Sequence, residues 1–214
     1  MNPGWIVADE LIFETVRAGV ASIDAAIAAG NATIDRLLER IFNSYSTERR
    51  AQVREWLRSH DVIDAIRLGY PQTPDQTPCL AVVLNPSEQS GQYIGQAGGE
   101  HTFESGDKGQ LRAERWRATV GVIAYAEKSD VVIWLHQIAT FILAQQAKAL
   151  SEYFKHSQRL ATGDLGFEER FLPRFVYARA VALTAEFDQF DAVEEGAPDI
   201  TGISLNREVV SGVI

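Results

Sequence analysis

The chain has 214 residues, 46% of them hydrophobic and 23% charged, enough for one domain with a real core and too apolar for a disordered polymer. A net charge of −9 argues against tight nucleic-acid binding, which needs clustered lysine and arginine to neutralise phosphates. The single cysteine, Cys79, excludes an internal disulfide and any multi-thiolate metal centre.

The opening Met1-Asn2-Pro3-Gly4-Trp5 lacks a basic leader pattern and a small-residue cleavage site, so secretion is not expected. The most apolar run, Val131 to Ala144, is interrupted by His136 and Gln137 and falls short of the ~18 apolar residues of a membrane span; it reads as a buried helix.

The first sixty residues read as helical. Pro3 suits a first helical turn, and Ile12, Val16, Val20, Ile23 and Ile27 recur near a 3.6-residue period until Gly30-Asn31 stops the helix. A second helix carries Ile34, Leu37, Leu38, Ile41 and Phe42 on one face. A third, capped by Ser46 or Thr47, turns Val53, Trp56 and Leu57 inward and Arg49, Arg50, Arg54 and Arg58 outward, interleaved with Glu48 and Glu55. Those arginines could make a nucleic-acid face; a solvated helix surface with i,i+4 pairs is the simpler reading.

Residues 62 to 68 could continue the third helix but, ending at Gly69-Tyr70-Pro71, read better as a strand, and Cys79-Leu-Ala-Val-Val-Leu84 reads as a short buried strand with an inert thiol at its head. Residues 86–113 are polar, with six glycines and few large apolar residues: Tyr93, Ile94, Phe103 and Leu111. A segment of that length in a compact domain implies a function, and it is expected to project as an arm that orders on assembly, those four residues forming its contacts. Arg115 to Glu127 alternates as a strand, with Trp116, Ala118, Val120, Val122 and Ala124 facing one way and Arg117, Thr119, Gly121, Ile123 and Tyr125 the other. Ser129-Asp130 is expected to cap the longest helix, about 130 to 155, whose apolar band is wide enough for burial on more than one side. A linker with Gly163 and Gly166 then leads to a second long strand, 171 to 187, and a last short strand over 200 to 209.

Strands of thirteen and seventeen residues reach roughly 40 and 55 Å at ~3.3 Å per residue, more than a small sheet needs. Their edges require partners, and a neighbouring copy is the simplest source.

Nothing specifies a reaction. His60, His101, His136 and His156 belong to no zinc-protease or cysteine–histidine pattern, the glycines match no phosphate loop, and Ser87, Ser90 and Ser105 lack a nucleophile-elbow context. His101 between Glu100 and Glu104 is the one conceivable metal cluster, with only three ligands; Glu168-Glu169 has no partner base. No catalytic residue, cofactor or metal is expected. From residue 184 onward the chain carries a net charge of −6, against −3 for the rest, which would suit a surface that DNA slides past; taken by itself, a solvated acidic tail is the simpler reading.

The order from residue 60 is strand, short strand, long polar hairpin, long strand, long helix, long strand. On Gly69-Tyr70-Pro71, Pro78 to Leu84, Arg115 to Glu127, the helix opened by Ser129-Asp130, and Arg174 to Phe187, this resembles the tail-terminator and head–tail joining proteins of tailed bacteriophages over roughly residues 60 to 190. Residues 1–60 and the last strand depart from the smallest members. The resemblance implies an α+β fold: an antiparallel or mixed sheet with a projecting hairpin, packed on one long helix and preceded by an N-terminal helical segment. It divides the chain into residues 1–60, a core over 61–190 with the arm 86–113, and an acidic extension over 191–214.

The resemblance also implies a structural virion protein, assembled in the host cytoplasm into a homo-oligomeric, usually hexameric ring in the tail or neck. Such a ring caps the tail tube protein and meets the head–tail connector or adaptor, without a membrane. DNA would pass without specific binding, with Glu186, Asp188, Asp191, Glu194 and Glu195 facing the channel. A head-completion adaptor or stopper is the neighbouring alternative, and a small metal-dependent enzyme built on His101 the distant one.

Overall fold

The computed structural model describes residues 8–60, 65–85, 88–102, 108–154, 157–165 and 176–194. The expected start at Pro3, strand residues Val62 to Asp64, Phe103, Glu104, Glu168-Glu169, Phe175, Glu195 and the strand over 200–209 lie outside these residues.

Three helices come first: α1 (Ala8–Ala28), α2 (Asn31–Ile41) and α3 (Thr47–Ser59). Gly30 separates the first two at φ 106°, a left-handed conformation that costs glycine nothing. Ser46 caps α3 by accepting a hydrogen bond from the Arg49 N–H at 3.3 Å. The expected inward faces are the buried ones: Ile12, Val16 and Val20; Ile34, Leu38 and Phe42; Val53 and Leu57.

Six strands and a fourth helix follow: β1 (Ile66–Leu68), β2 (Cys79–Leu84), β3 (Glu88–Thr102), β4 (Lys108–Ala126), α4 (Ser129–Leu150), β5 (Ser157–Leu165) and β6 (Tyr177–Glu194). They form one mixed sheet in the order β1-β2-β4-β6-β5, with β3 also paired to β4; only β1 and β2 are parallel. The fold is therefore α+β, as expected.

The alternation along β4 is as read. Ala118, Val120, Val122 and Ala124 join the main core under the helices, with Leu80 and Val82 of β2 and Val181, Leu183 and Ala185 of β6. Ile123 and Tyr125 face the other side, where Cys79, Ala81, Val176 and Ala178 make a second buried cluster. Both α1 and α4 lie on the sheet, while α2 and α3 pack outside them. One continuous core includes residues of all four helices and the sheet.

Gly19 sets how closely α1 approaches α4. A Cβ built there would lie 2.4 Å from Ile142 Cγ2 and 2.7 Å from Cγ1, so the two helices touch backbone to side chain. That contact gives α4 its second buried side.

Two expectations change in detail. Helix α4 starts at Ser129 rather than after a Ser129-Asp130 cap; Lys128 is the N-cap, extended and without a side-chain bond, because only Glu127 and Lys128 separate β4 from α4. Asp130 instead accepts a hydrogen bond from Arg49 Nη2 at 3.2 Å. The supposed linker around Gly163 is strand β5, whose pairing to β6 holds it extended despite a composition with little strand preference.

Candidate functional site

The feature that sets this molecule apart from a compact helix-on-sheet domain is how far β4 and β6 run together. They keep a single antiparallel register for 18 consecutive pairs, from Gly109 opposite Glu194 to Ala126 opposite Tyr177, about 60 Å at ~3.3 Å per residue. At the lower end this ladder has β2 on one side and β5 on the other. β5 pairs only as far as Ser157 opposite Glu186, and β2 only to Leu84 opposite Val120. The Asn85 N–H carries the β2 edge one step further, bonding the Thr119 carbonyl at 2.9 Å. Beyond that level the described residues make a sheet three strands wide, β3-β4-β6.

The polar segment 86–113 thus forms most of a hairpin along the same edge of β4 that β2 occupies. Its outgoing strand is longer than its return. From Glu88 to Thr102 the chain takes 14 steps while β4 takes 9 from Arg117 to Lys108, and the excess of five appears as register shifts between Gln89 and Gly91, Gln92 and Ala97, and Ala97 and Glu100. Such bulges bend and twist a strand.

Tyr93 and Ile94 fall within the widest of these shifts, between Gln92 and Ala97. Leu111 lies on β4 opposite Ala192. These three predicted contact residues are on the extension.

Of the predicted acids, Glu186 is held by Arg117, whose Nη2 and Nε donate to Oε1 at 2.6 and 3.0 Å. The register sets Asp188 opposite Arg115 and Asp191 opposite Arg112, while Glu194 faces Gly109. The sequence reading missed these pairings. The signal was there: Arg112, Arg115 and Arg117 are spaced three then two, and Glu186, Asp188 and Asp191 two then three, the mirror image an antiparallel pair requires.

The arginines of α3 are engaged within the helical layer. Arg54 Nη1 bonds both Asp35 carboxylate oxygens, at 2.6 and 2.9 Å; Arg50 donates to the Tyr45 carbonyl at 2.8 Å; Arg58 bonds Asn31; and Arg49 reaches Asp130. They tie α3 to α2 and to the start of α4 from a face that is solvated as expected, with Glu48, Arg49, Glu55 and Arg58 exposed.

At the other end of the sheet, a shallow cleft of about 430 Å³ is lined by Trp56, Lys128, Asp130, Trp134 and Tyr177. His60 stacks on Trp56 at 4.8 Å, and His136 Nε2 lies 3.3 Å from the Ala180 carbonyl. His101 and Glu100 are on β3, opposite Gly109 and Gln110. Among the described residues no three His, Cys, Asp or Glu groups gather where they could hold a metal, and no helix is long and apolar enough to cross a membrane. Cys79 is fully buried, and burial pushes its thiol up to about 11.

Compared with models of known protein families and with curated proteins, the sequence matches none.

Proposed function

We propose that this chain is a structural subunit that joins copies of itself through the three-stranded sheet extension, forming a closed ring of the tail-terminator kind. The observation that carries this reading is the β4–β6 ladder running eight residues past the end of β5. From Phe187 to Glu194 one margin of β6 has no strand beside it among the described residues. An extended backbone margin of that length is a template for another strand.

The order of elements read from the sequence, which resembles that of tail-terminator and neck proteins although β5 intervenes between α4 and β6, suggests what the ring does. Usually hexameric in such proteins, it would sit in the virion tail or neck, stop the polymerisation of the tail tube and offer its other face to the head connector. DNA would pass through without specific binding. The arginines opposite Glu186, Asp188 and Asp191 would temper that channel's charge, leaving Glu194, opposite Gly109, as the described acid with most to contribute.

The test is tube-length control. Tail tube protein polymerised with the full chain should give capped tubes bearing rings at one end, and a variant lacking residues 86–113 should leave growth unchecked. Unaltered tube growth in the presence of the full chain would contradict a terminator. Binding to the portal-side connector instead would identify an adaptor or stopper.

A further inference from the structure

The two margins of the sheet extension differ in a way that selects the partner strand. β3 and β6 are each antiparallel to the intervening β4, so they run in the same direction. The β6 margin is regular: one register without a bulge. It is also acidic, with Asp188, Asp191 and Glu194 within the eight residues 187–194. A second β6 laid along it would bring the same three acids of another copy into the same two-stranded ribbon. The β3 margin carries only Glu88 and Glu100 over fifteen residues that are otherwise uncharged apart from His101, and it ends five residues before β4 begins.

We infer that the β6 margin over Phe187–Glu194 takes the β3 margin of a second copy, in parallel. This rests on the self-assembly reading above and adds the strand, the partner and the direction. Pairing unlike margins is heterologous, so each copy offers a β3 margin and a β6 margin that its own described residues leave unpaired until the last copy joins the first, which closes a ring; pairing β6 with β6 would stop at two copies. The parallel direction follows because subunits related by a ring axis all point the same way along it. The register on β4 places Gln189 level with Gln92, both opposite Glu114, and Phe187 level with Gln89, both opposite Trp116. Parallel strands without stagger would bring these levels together.

The test uses full-length chains with single introduced cysteines, Cys79 being buried and slow to react. Gln189→Cys is mixed in turn with Gln89→Cys, Gln92→Cys and Gln96→Cys, assembled, and oxidised mildly. The inference expects a mixed disulfide in at least one pairing, absent when any variant is oxidised alone. A Gln189–Gln189 disulfide from the β6 variant alone would overturn it in favour of a two-fold pair. Assembled particles with no cross-link in any of the three mixtures would overturn the strand assignment while leaving self-assembly intact. Variants and parent that stay monomeric at every concentration would remove both.

Discussion

Arg117 on β4 and Glu186 on β6 meet across the strand pair, Nη2 to Oε1 at 2.6 Å, at the level where β3 begins opposite one and β5 begins opposite the other. The glutamate side chain is 16% exposed and the arginine 47%, so the bond is shielded on one side only. Among the described residues it stands where a sheet five strands wide narrows to three.

That position makes it measurable. Cross-strand pairs of opposite charge contribute roughly 0.2–1 kcal/mol. A double-mutant cycle of Arg117→Ala and Glu186→Ala, read by urea unfolding, should give a coupling energy within that range. Glu186→Arg alone should destabilise more than Glu186→Ala, and adding Arg117→Glu should recover part of the loss. A coupling of zero would mean the pair only decorates the sheet.

Gly19 carries a sharper prediction. An added methyl would press on the Cγ atoms of Ile142, a branched side chain with little room to turn. Overpacking of this kind costs about 1–3 kcal/mol, against a helix-propensity gain of about 1 for replacing glycine. Gly19→Val should therefore lower stability clearly and Gly19→Ala slightly. Shortening Ile142 to alanine in the Gly19→Val background should cost less than the ~2–5 kcal/mol it costs alone. Thermal melts of the four proteins decide it.

The α3 arginines should behave as struts. Replacing Arg49 and Arg54 with alanine removes bonds to Asp130 and Asp35, which are half or more exposed, so each should cost no more than about 1 kcal/mol. The same double variant should retain no less nucleic acid on purification than the parent. A large loss of bound nucleic acid would return that face to a binding role.

Cys79 should be silent in the native protein. With its thiol near 11, only about one molecule in a thousand carries thiolate at pH 8, and the sulfur is fully buried. Alkylation by iodoacetamide should be negligible when folded and complete in denaturant. Because the folded thiol holds its proton more tightly than the unfolded one, stability contributed by this group is complete below about 9 and declines as pH rises from there toward 11. Rapid native labelling at pH 8 would mean that the second face of the sheet opens readily.

Much of the fold was legible because burial leaves a periodic trace. The faces of α1, α2 and α3 followed from apolar spacing, and the two sides of β4 from strict alternation between Trp116 and Tyr125. What escaped was set by pairing rather than by pattern. β5 has one large apolar residue in its first seven, Leu160, itself 37% exposed, and becomes a strand because β6 lies beside it. Residues 108–113 of β4 are mostly polar and belong by composition to the segment 86–113, but β6 continues alongside Gly109 and the residues after it.

The acids at 186–191 looked like surplus charge because strand partners are invisible to a composition count. The mirrored spacing of Arg112, Arg115 and Arg117 was the readable clue. Gly19 could not have been found from sequence, since a helical glycine gives no sign of what crosses it.

If another copy completes the margin in which the long β4–β6 ladder ends, the purified chain should not stay single. Sedimentation or native mass measurement over a wide concentration range should show a closed homo-oligomer whose mass is a fixed multiple of 23.7 kDa, lost on deleting residues 86–113 while the remaining protein stays folded. A species of 23.7 kDa at every concentration would contradict it.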